Sequence, residues 1–386
     1  MEKSLLNIVF IGPLSFPLGF ASTKRRRYII DYLNSQNIQA HVLCTKYAKN
    51  SIFNNEKEGH YGNTDYYDLS DYLNIKELKL YYIEGKKKLK EWYDPSKKNI
   101  LIFHTVLNFQ DTSFFIYAKK LGYKIIFDQV ETSYKKNGKQ SFKRNIKITL
   151  DELVTKYAYK RCNGSFVISK ALEKQNKDNY PQMPICILPN SSPVLQQKQK
   201  EIFSDIPKVL YSGTYTPKDG VEDLIRAFLK VQNKGIRCKL VLTGKGNYKD
   251  MRILDLIKNN PYVEYKGMVS DDELVSIINE CDILTMTRTN SVFSNYGFPF
   301  KLSEYLSTGN PVIATKVSDV ASILTHKENA YLVNPESSDE IADGIIFYIQ
   351  NPDKAIEIGL KGLQTMKNVF SIEQIGKTFV EFMYKI

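Results

Sequence analysis

The chain has 386 residues, 42% hydrophobic and 25% charged, near globular averages; wholesale disorder is excluded and there is room for two domains with separate cores. Basic residues exceed acidic ones, 54 to 42, and the excess lies in the first half: residues 1–195 hold 31 Lys and Arg against 18 Asp and Glu, while the remainder is close to neutral. No run approaches the roughly 20 apolar residues of a membrane-crossing helix, and the five scattered cysteines (Cys44, Cys162, Cys186, Cys238, Cys281) form no C-x-x-C pair, which argues against a disulfide frame or zinc site and fits reduced thiols in a cytoplasmic protein.

The first apolar run, Ile8 to Ile11, is only strand length and leads into the turn Gly12-Pro13, so it does not read as a signal peptide. Patterning predicts a strand over 7–11, a helix over 22–36 with Tyr28, Ile29, Tyr32 and Leu33 at helical spacing, and a strand over 39–44. Further strands are expected at 100–103, 124–127 and 164–168, with a helix at 111–121. A short apolar run at 185–188 precedes Pro189-Asn190-Ser191-Ser192-Pro193 and the polar stretch 196–201, which read as a linker. The alternation then restarts: strands at 209–211, 239–242, 263–265, 283–285 and 312–314, helices at 221–232, 248–259, 271–280 and 300–308. Strands alternating with helices imply parallel pairing. The expected fold class is α/β, two Rossmann-like doubly wound domains facing a cleft that would take the ligand. Their expected extents are 1–195 and 196–370, followed by a helix over 371–386 returning towards the first domain with Ile375, Phe379, Phe382 and Met383 on one side.

Three basic clusters stand out: Lys24-Arg25-Arg26-Arg27, Lys86-Lys87-Lys88-Leu89-Lys90 and the span 135–147. Trp92, Tyr93, Tyr134 and Phe142 lie beside them. Basic and aromatic residues together suit an anionic membrane surface, at about 1 kcal/mol per Lys or Arg; the plainer reading is a solvated basic face. No nucleic-acid-binding module accompanies the lysines, so a nucleic-acid partner is not expected.

Three segments can carry chemistry. In Tyr211-Ser212-Gly213-Thr214-Tyr215-Thr216-Pro217-Lys218-Asp219-Gly220-Val221 a strand runs through a small-residue turn into a helix; Gly213 lets backbone amides approach a phosphate and Lys218 adds a charge. Leu242-Thr243-Gly244-Lys245-Gly246 is a second tight turn after a strand, but it lacks Walker spacing, and no complete G-x-G-x-x-G follows the first strand. An ATPase and a dinucleotide dehydrogenase are both disfavoured. The third segment, Gly297-Phe298-Pro299-Phe300-Lys301-Leu302-Ser303-Glu304, opens a helix that sets Lys301 and Glu304 three apart on one face, before Gly309 and Pro311 close it. Such a pair can grip a vicinal diol and a diphosphate, or be a surface ion pair worth little.

This third segment resembles the nucleotide-sugar signature of retaining glycosyltransferases of family 4, whose fold is GT-B. The resemblance extends over the stretch from Gly213 to Phe228, the turn at Val241-Leu242-Thr243-Gly244, Val263 to Leu274, and Asp282-Ile283-Leu284. More faintly it includes Ile168-Ser169 with Leu172, and Pro189-Asn190. It implies that Glu304 binds the ribose hydroxyls, Lys218 the diphosphate, Gly213 and Gly244 the close-approach turns, and that Phe298 and Pro299 face the sugar through their backbone. The loop from Gly12-Pro13 through Gly19-Phe20-Ala21 resembles the family's first glycine loop. His104 and Glu131 occupy strand ends where relatives place donor- or acceptor-facing, catalytic groups, though His104 is equally readable as a core histidine and Glu131 as a helix-entry acid.

The sequence departs from the family pattern at three points. Tyr296 stands eight before Glu304 where a second glutamate is usual, Thr214 replaces the arginine after Gly213, and Lys218 lies one place nearer the glycine. Lys301 and Arg288 are candidates for the missing positive charge, and the Lys-x-x-Glu form resembles that of polysaccharide-assembly members. There is no D-x-D triplet. The resemblance therefore implies retaining, metal-independent transfer of a sugar from a nucleotide-sugar to a glycan or lipid-linked acceptor in cell-surface polysaccharide biosynthesis, with no cofactor. The site would be cytoplasmic, or peripheral at the inner face of the membrane. The same fold also serves nucleotide-sugar 2-epimerases, and loss of one acid fits a non-catalytic nucleotide-sugar-binding protein.

Overall fold

The computed structural model describes residues 5–45, 55–72, 77–104, 107–131, 142–195, 203–246 and 254–386. The chain forms two compact units: residues 1–189 together with 375–386, and residues 190–374. The first boundary lies a few residues before the expected 195, at the close of the apolar run rather than in the polar stretch after it.

The first unit carries an eight-stranded sheet, β1 (Leu6–Gly12), β2 (Gln39–Cys44), β3 (Glu58–Tyr61), β4 (Thr64–Asp68), β5 (Lys98–His104), β6 (Lys124–Gln129), β7 (Gly164–Val167) and β8 (Ile185–Ile187), in the order β3-β4-β2-β1-β5-β6-β7-β8. All neighbours pair in parallel except β3 with β4. Strand periodicity divides β1 between two cores. Leu6, Ile8 and Phe10 pack on one face with Ile29, Ile30 and Leu33 of the helix Ala21–Ser35, and with Ile375, Phe379, Phe382 and Met383 of the helix Ile372–Lys385. Val9 and Ile11 pack on the other face with Phe103, Phe114, Phe115 and Phe127.

The second unit has six parallel strands, β9 (Lys208–Ser212), β10 (Lys239–Thr243), β11 (Val263–Gly267), β12 (Ile283–Met286), β13 (Val312–Thr315) and β14 (Tyr331–Val333), in the order β11-β10-β9-β12-β13-β14. Helices Val221–Asn233 and Ser338–Gln350 bury Leu224, Phe228, Ile341 and Ile345 in its core. In each unit the strand order reverses once near the middle, between β1 and β5 in the first and between β9 and β12 in the second. Ligands of doubly wound sheets bind outside the carboxyl ends of such strands.

Three expectations are corrected. The polar hairpin β3–β4 is absent from the sequence reading because Glu58–Tyr61 and Thr64–Asp68 carry no apolar alternation; pairing of β4 onto β2 makes them strands. The helix expected over 300–308 ends at Leu306, where the Ser307 and Thr308 hydroxyls turn back onto the carbonyls of Glu304 and Tyr305 at 2.6 and 2.7 Å. The expected helix 248–259 lies partly outside the described residues, and its described part, 254–259, is a short turn. The stretch 196–201 and Tyr134 also lie outside the described residues.

Candidate functional site

In the second unit the turn after β9 is built around Lys301. Gly213 has φ 140°, and a Cβ there would lie 2.9 Å from Lys301 Nζ, so the glycine leaves the space the ammonium occupies. Nζ also sits 4.0 Å from the centroid of the buried Tyr211 ring. The Tyr211 hydroxyl donates to the Thr214 carbonyl at 2.7 Å, and the Tyr305 hydroxyl accepts from the Ser212 amide at 2.9 Å, which fixes both flanks of the turn. Gly244 closes the neighbouring turn, where a Cβ would fall on the Gly213 carbonyl oxygen.

The rest of the loop is held by Asp219. Its carboxylate accepts from the Thr214 hydroxyl at 2.8 Å and from the amide and hydroxyl of Thr216, closing the short turn Pro217–Asp219. Burial alone would raise this carboxyl, but Lys301, the two threonine hydroxyls and Arg288 hold it below its ordinary value. The loop is then tied to the one after β12. The Thr289 amide donates to the Lys218 carbonyl at 3.0 Å, the Thr287 hydroxyl donates to the Asp219 carbonyl at 3.1 Å, and Gly220, at φ 64°, makes room for the Thr287 carbonyl. Arg288 lies between those two threonines.

One turn beyond Lys301, Glu304 is 8% exposed, so the pair is no solvated surface pair. Burial pulls the Lys301 ammonium down to about 8; Asp219 and Glu304 oppose this, while Arg288 and Lys218 add to it. Three cations and two carboxylates therefore meet at the carboxyl ends of β9 and β12, a set whose chemistry could hold an anion such as a phosphate and accept from hydroxyls. Phe298 and Pro299 have structural tasks as well. The Phe298 ring packs against Phe370 with centroids 5.5 Å apart and its carbonyl accepts from Asn190, while Pro299 opens the helix Phe300–Leu306.

The first unit assembles a different cluster at the ends of β1, β5 and β6. Asp128 is buried and accepts from two arginines. Arg25 donates through Nε to Oδ2 at 3.2 Å and through Nη2 to Oδ1 at 2.8 Å, and Arg26 Nη2 donates to Oδ2 at 3.2 Å. Arg25 also donates to the carbonyls of Leu188 and Pro189 at 2.9 and 2.8 Å. The Arg26 guanidinium lies 4.4 Å over the Phe10 ring and contacts His104 Nδ1 at 3.3 Å. His104 is 6% exposed; burial lowers its pKa, Asp128 opposes, and the arginines reinforce the lowering. Gly12 backs onto it, since a Cβ there would lie 2.7 Å from His104 Cβ. Gly19 makes room for the Thr23 hydroxyl, and Glu131 is exposed just beyond β6.

The run Lys24-Arg25-Arg26-Arg27 is thus not a surface patch: Arg25 and Arg26 are 2% and 1% exposed. Trp92 is likewise interior, stacked on His41 at 4.8 Å, and Tyr93 packs edge-on to Tyr123. Sequence reasoning missed Asp219, Tyr211, Tyr305, Arg25, Arg26 and Asp128 as site-building residues. A signal existed only for Asp219, three after Thr216 in a capping-box spacing.

Residues 206–351, within the second unit, match the family profile described as glycosyl transferases group 1. Over 223 residues the chain is 26% identical to an uncharacterized glycosyltransferase of Methanocaldococcus jannaschii, covering 57% of this chain and 58% of that one. Over 193 residues it is 25% identical to the capsular polysaccharide biosynthesis glycosyltransferase CapM of Staphylococcus aureus, covering 49% of each. The chain spans between 36% and 64% of the length of three such curated relatives from M. jannaschii. Among solved structures, sucrose-phosphate synthase from Thermosynechococcus elongatus superposes with a TM-score of 0.74 at 15% identity, over 98% of both chains. Anabaena HepE in complex with UDP-glucose gives 0.70 at 14% identity, over 98% of this chain and 100% of that one. The fold is GT-B.

Proposed function

We propose that this chain is a retaining glycosyltransferase of family 4 that moves a sugar from a nucleotide-sugar to a glycan or lipid-linked acceptor in cell-surface polysaccharide assembly. The observation that carries the reading is the Lys301 ammonium packed into the space left by Gly213, one helical turn from the buried Glu304. In this reading Glu304 accepts from the ribose hydroxyls, while Lys301, Lys218 and Arg288 meet the diphosphate charge that grows as the sugar departs. No metal is then required. The acceptor hydroxyl attacks from the face the diphosphate vacates, and a diphosphate oxygen takes its proton. The relative named for capsular polysaccharide biosynthesis and the neighbour bound to UDP-glucose support this choice of pathway and donor. A thermal-shift panel of UDP, GDP, ADP and their sugar conjugates tests it. One nucleotide class at about 100 times its Kd should add about 2.7 kcal/mol of stability, and Glu304→Ala should abolish most of the shift. No stabilisation by any of them would overturn the reading.

We place an anionic membrane surface on a different face from the arginine run. Among the described residues no helix is long and apolar enough to cross a membrane. Along the helix Phe142–Tyr159, however, Ile146, Leu150, Leu153 and Tyr157 are 46, 40, 58 and 43% exposed at helical spacing. Exposed Lys147, Lys156, Lys160 and Arg161 flank this stripe. Vesicles containing anionic lipid should co-sediment the protein at low salt and release it at high salt, and Leu153→Glu should cut binding without moving the melting temperature. Equal binding to neutral vesicles, or none, would reject this face.

A further inference from the structure

The arrangement around His104 is the reverse of the familiar aspartate–histidine pair. There a carboxylate accepts the Nδ1 proton and leaves Nε2 free to act as a base. Here Asp128 Oδ2 lies 3.9 Å from His104 Nδ1, and both carboxylate oxygens already accept from arginines. The group within hydrogen-bonding distance of Nδ1 is Arg26 Nη2, at 3.3 Å, and a guanidinium can only donate. Of the two neutral tautomers, only the one whose Nδ1 accepts satisfies that contact. A neutral imidazole whose Nδ1 accepts carries its hydrogen on Nε2. Around it stand Arg25 and Arg26 from the helix, Asp128 from β6 and the Gly12 backbone from β1, a net positive set that opposes a second proton. Among the described residues Nε2 has no hydrogen-bond partner, and the ring stands at the carboxyl end of β5, beside the strand-order switch.

We propose that Arg26 is a positioning residue that locks His104 in the neutral Nε2–H tautomer, so that His104 serves a bound ligand as a hydrogen-bond donor to oxygen and not as a general base. A sugar hydroxyl or phosphate oxygen is the acceptor such a donor fits. That last step rests on the glycosyltransferase reading; the tautomer does not.

The test is two-bond proton–nitrogen correlation spectroscopy on the full chain labelled at its four histidines, with His104→Gln assigning the signal. The expected spectrum of the neutral ring, at about pH 8, shows a protonated Nε2 and a bare Nδ1. In Arg26→Met the proton should move to Nδ1, facing Asp128. A wild-type Nδ1–H form, or an imidazolium throughout, overturns the proposal whether or not the variant folds. The donor role is read separately, using the nucleotide-sugar that stabilises the protein in the panel above. His104→Gln, whose amide nitrogen can stand in for Nε2–H, should keep kcat/KM within about tenfold, while His104→Asn should lose about 100-fold. Equal losses would overturn the donor role and leave the glycosyltransferase reading intact. Absence of transfer by the wild type would sink that reading and leave the tautomer standing.

Discussion

Asp128→Ala is expected to cost the first unit about 3–5 kcal/mol, because it removes the buried carboxylate that two buried guanidinium groups share. For a unit of this size that corresponds to a fall in Tm of roughly 6–20 °C. The expectation rests on burial. Arg25, Arg26 and Asp128 are nearly inaccessible, and Arg25 and Asp128 also join the ends of a helix and a strand 103 residues apart in sequence. Burial alone would raise the Asp128 carboxyl, but the guanidinium groups of Arg25 and Arg26 hold it well below the usual range. A carboxyl lowered in the folded state contributes stability that is complete above its unfolded value of about 3.9 and is lost as pH falls through the folded one. The wild type should therefore lose this contribution only in acid, below about pH 4, and the variant should lack that part of the acid limb. Glu222→Ala is the control, since the Arg226–Glu222 pair is shorter at 2.6 Å but half-exposed on both sides. It should cost less than about 1 kcal/mol. Equal melting curves for the two variants would show that Asp128 does not hold the unit together.

Much of the fold is legible in the residues because a doubly wound sheet writes itself as repeated local patterns. Ile8 to Ile11, Val209 to Tyr211 and Ile283 to Thr285 are apolar runs bounded by turns, and each is a buried parallel strand. Gly213 and the Lys301–Glu304 spacing are also local, so the second unit's candidate residues could be named, although spacing alone left a surface pair equally open. What stayed hidden depends on distance along the chain. Nothing near Arg25 announces that its partner is Asp128, and four consecutive cations look like a solvated patch until the helix is placed against β6. The exposed stripe on the helix Phe142–Tyr159 has the same origin in reverse. Its apolar positions follow the helical period of a core face, and only the tertiary structure shows that they meet solvent. The hairpin β3–β4 fails for a third reason, since its strands are defined by pairing and not by composition.

The affinity for a nucleoside diphosphate should fall as pH rises above about 8, and Lys301→Met should remove that dependence. Without ligand, burial brings the Lys301 ammonium to about 8, so near that pH half of the molecules present a neutral amine to the phosphate. A bound dianion favours the charged form, so binding takes up a proton there, and affinity should drop towards tenfold per pH unit until the pKa of the complex is reached. Below pH 7 the lysine is charged and no such slope remains. The same shift acts on folding with the opposite sign. A lysine whose folded value is lowered from 10.5 costs stability while it is charged, and the cost is relieved as pH rises from about 8 towards its unfolded value. The free protein should thus gain stability over the interval in which it loses ligand, a divergence that general alkaline damage would not produce. Calorimetric titration of UDP between pH 7 and 9.5 reads the first effect, and melting temperatures of the free protein over the same range read the second. Removing a charged donor to phosphate costs about 1.5–3 kcal/mol, so Lys301→Met should weaken binding about 10- to 150-fold at pH 7. Lys301→Arg keeps its charge throughout and should bind without the alkaline slope. If Lys301→Met bound UDP with the wild-type slope, the diphosphate charge would have to be met by Arg288 and Lys218, and Gly213 would be a packing residue instead of the mark of a phosphate site.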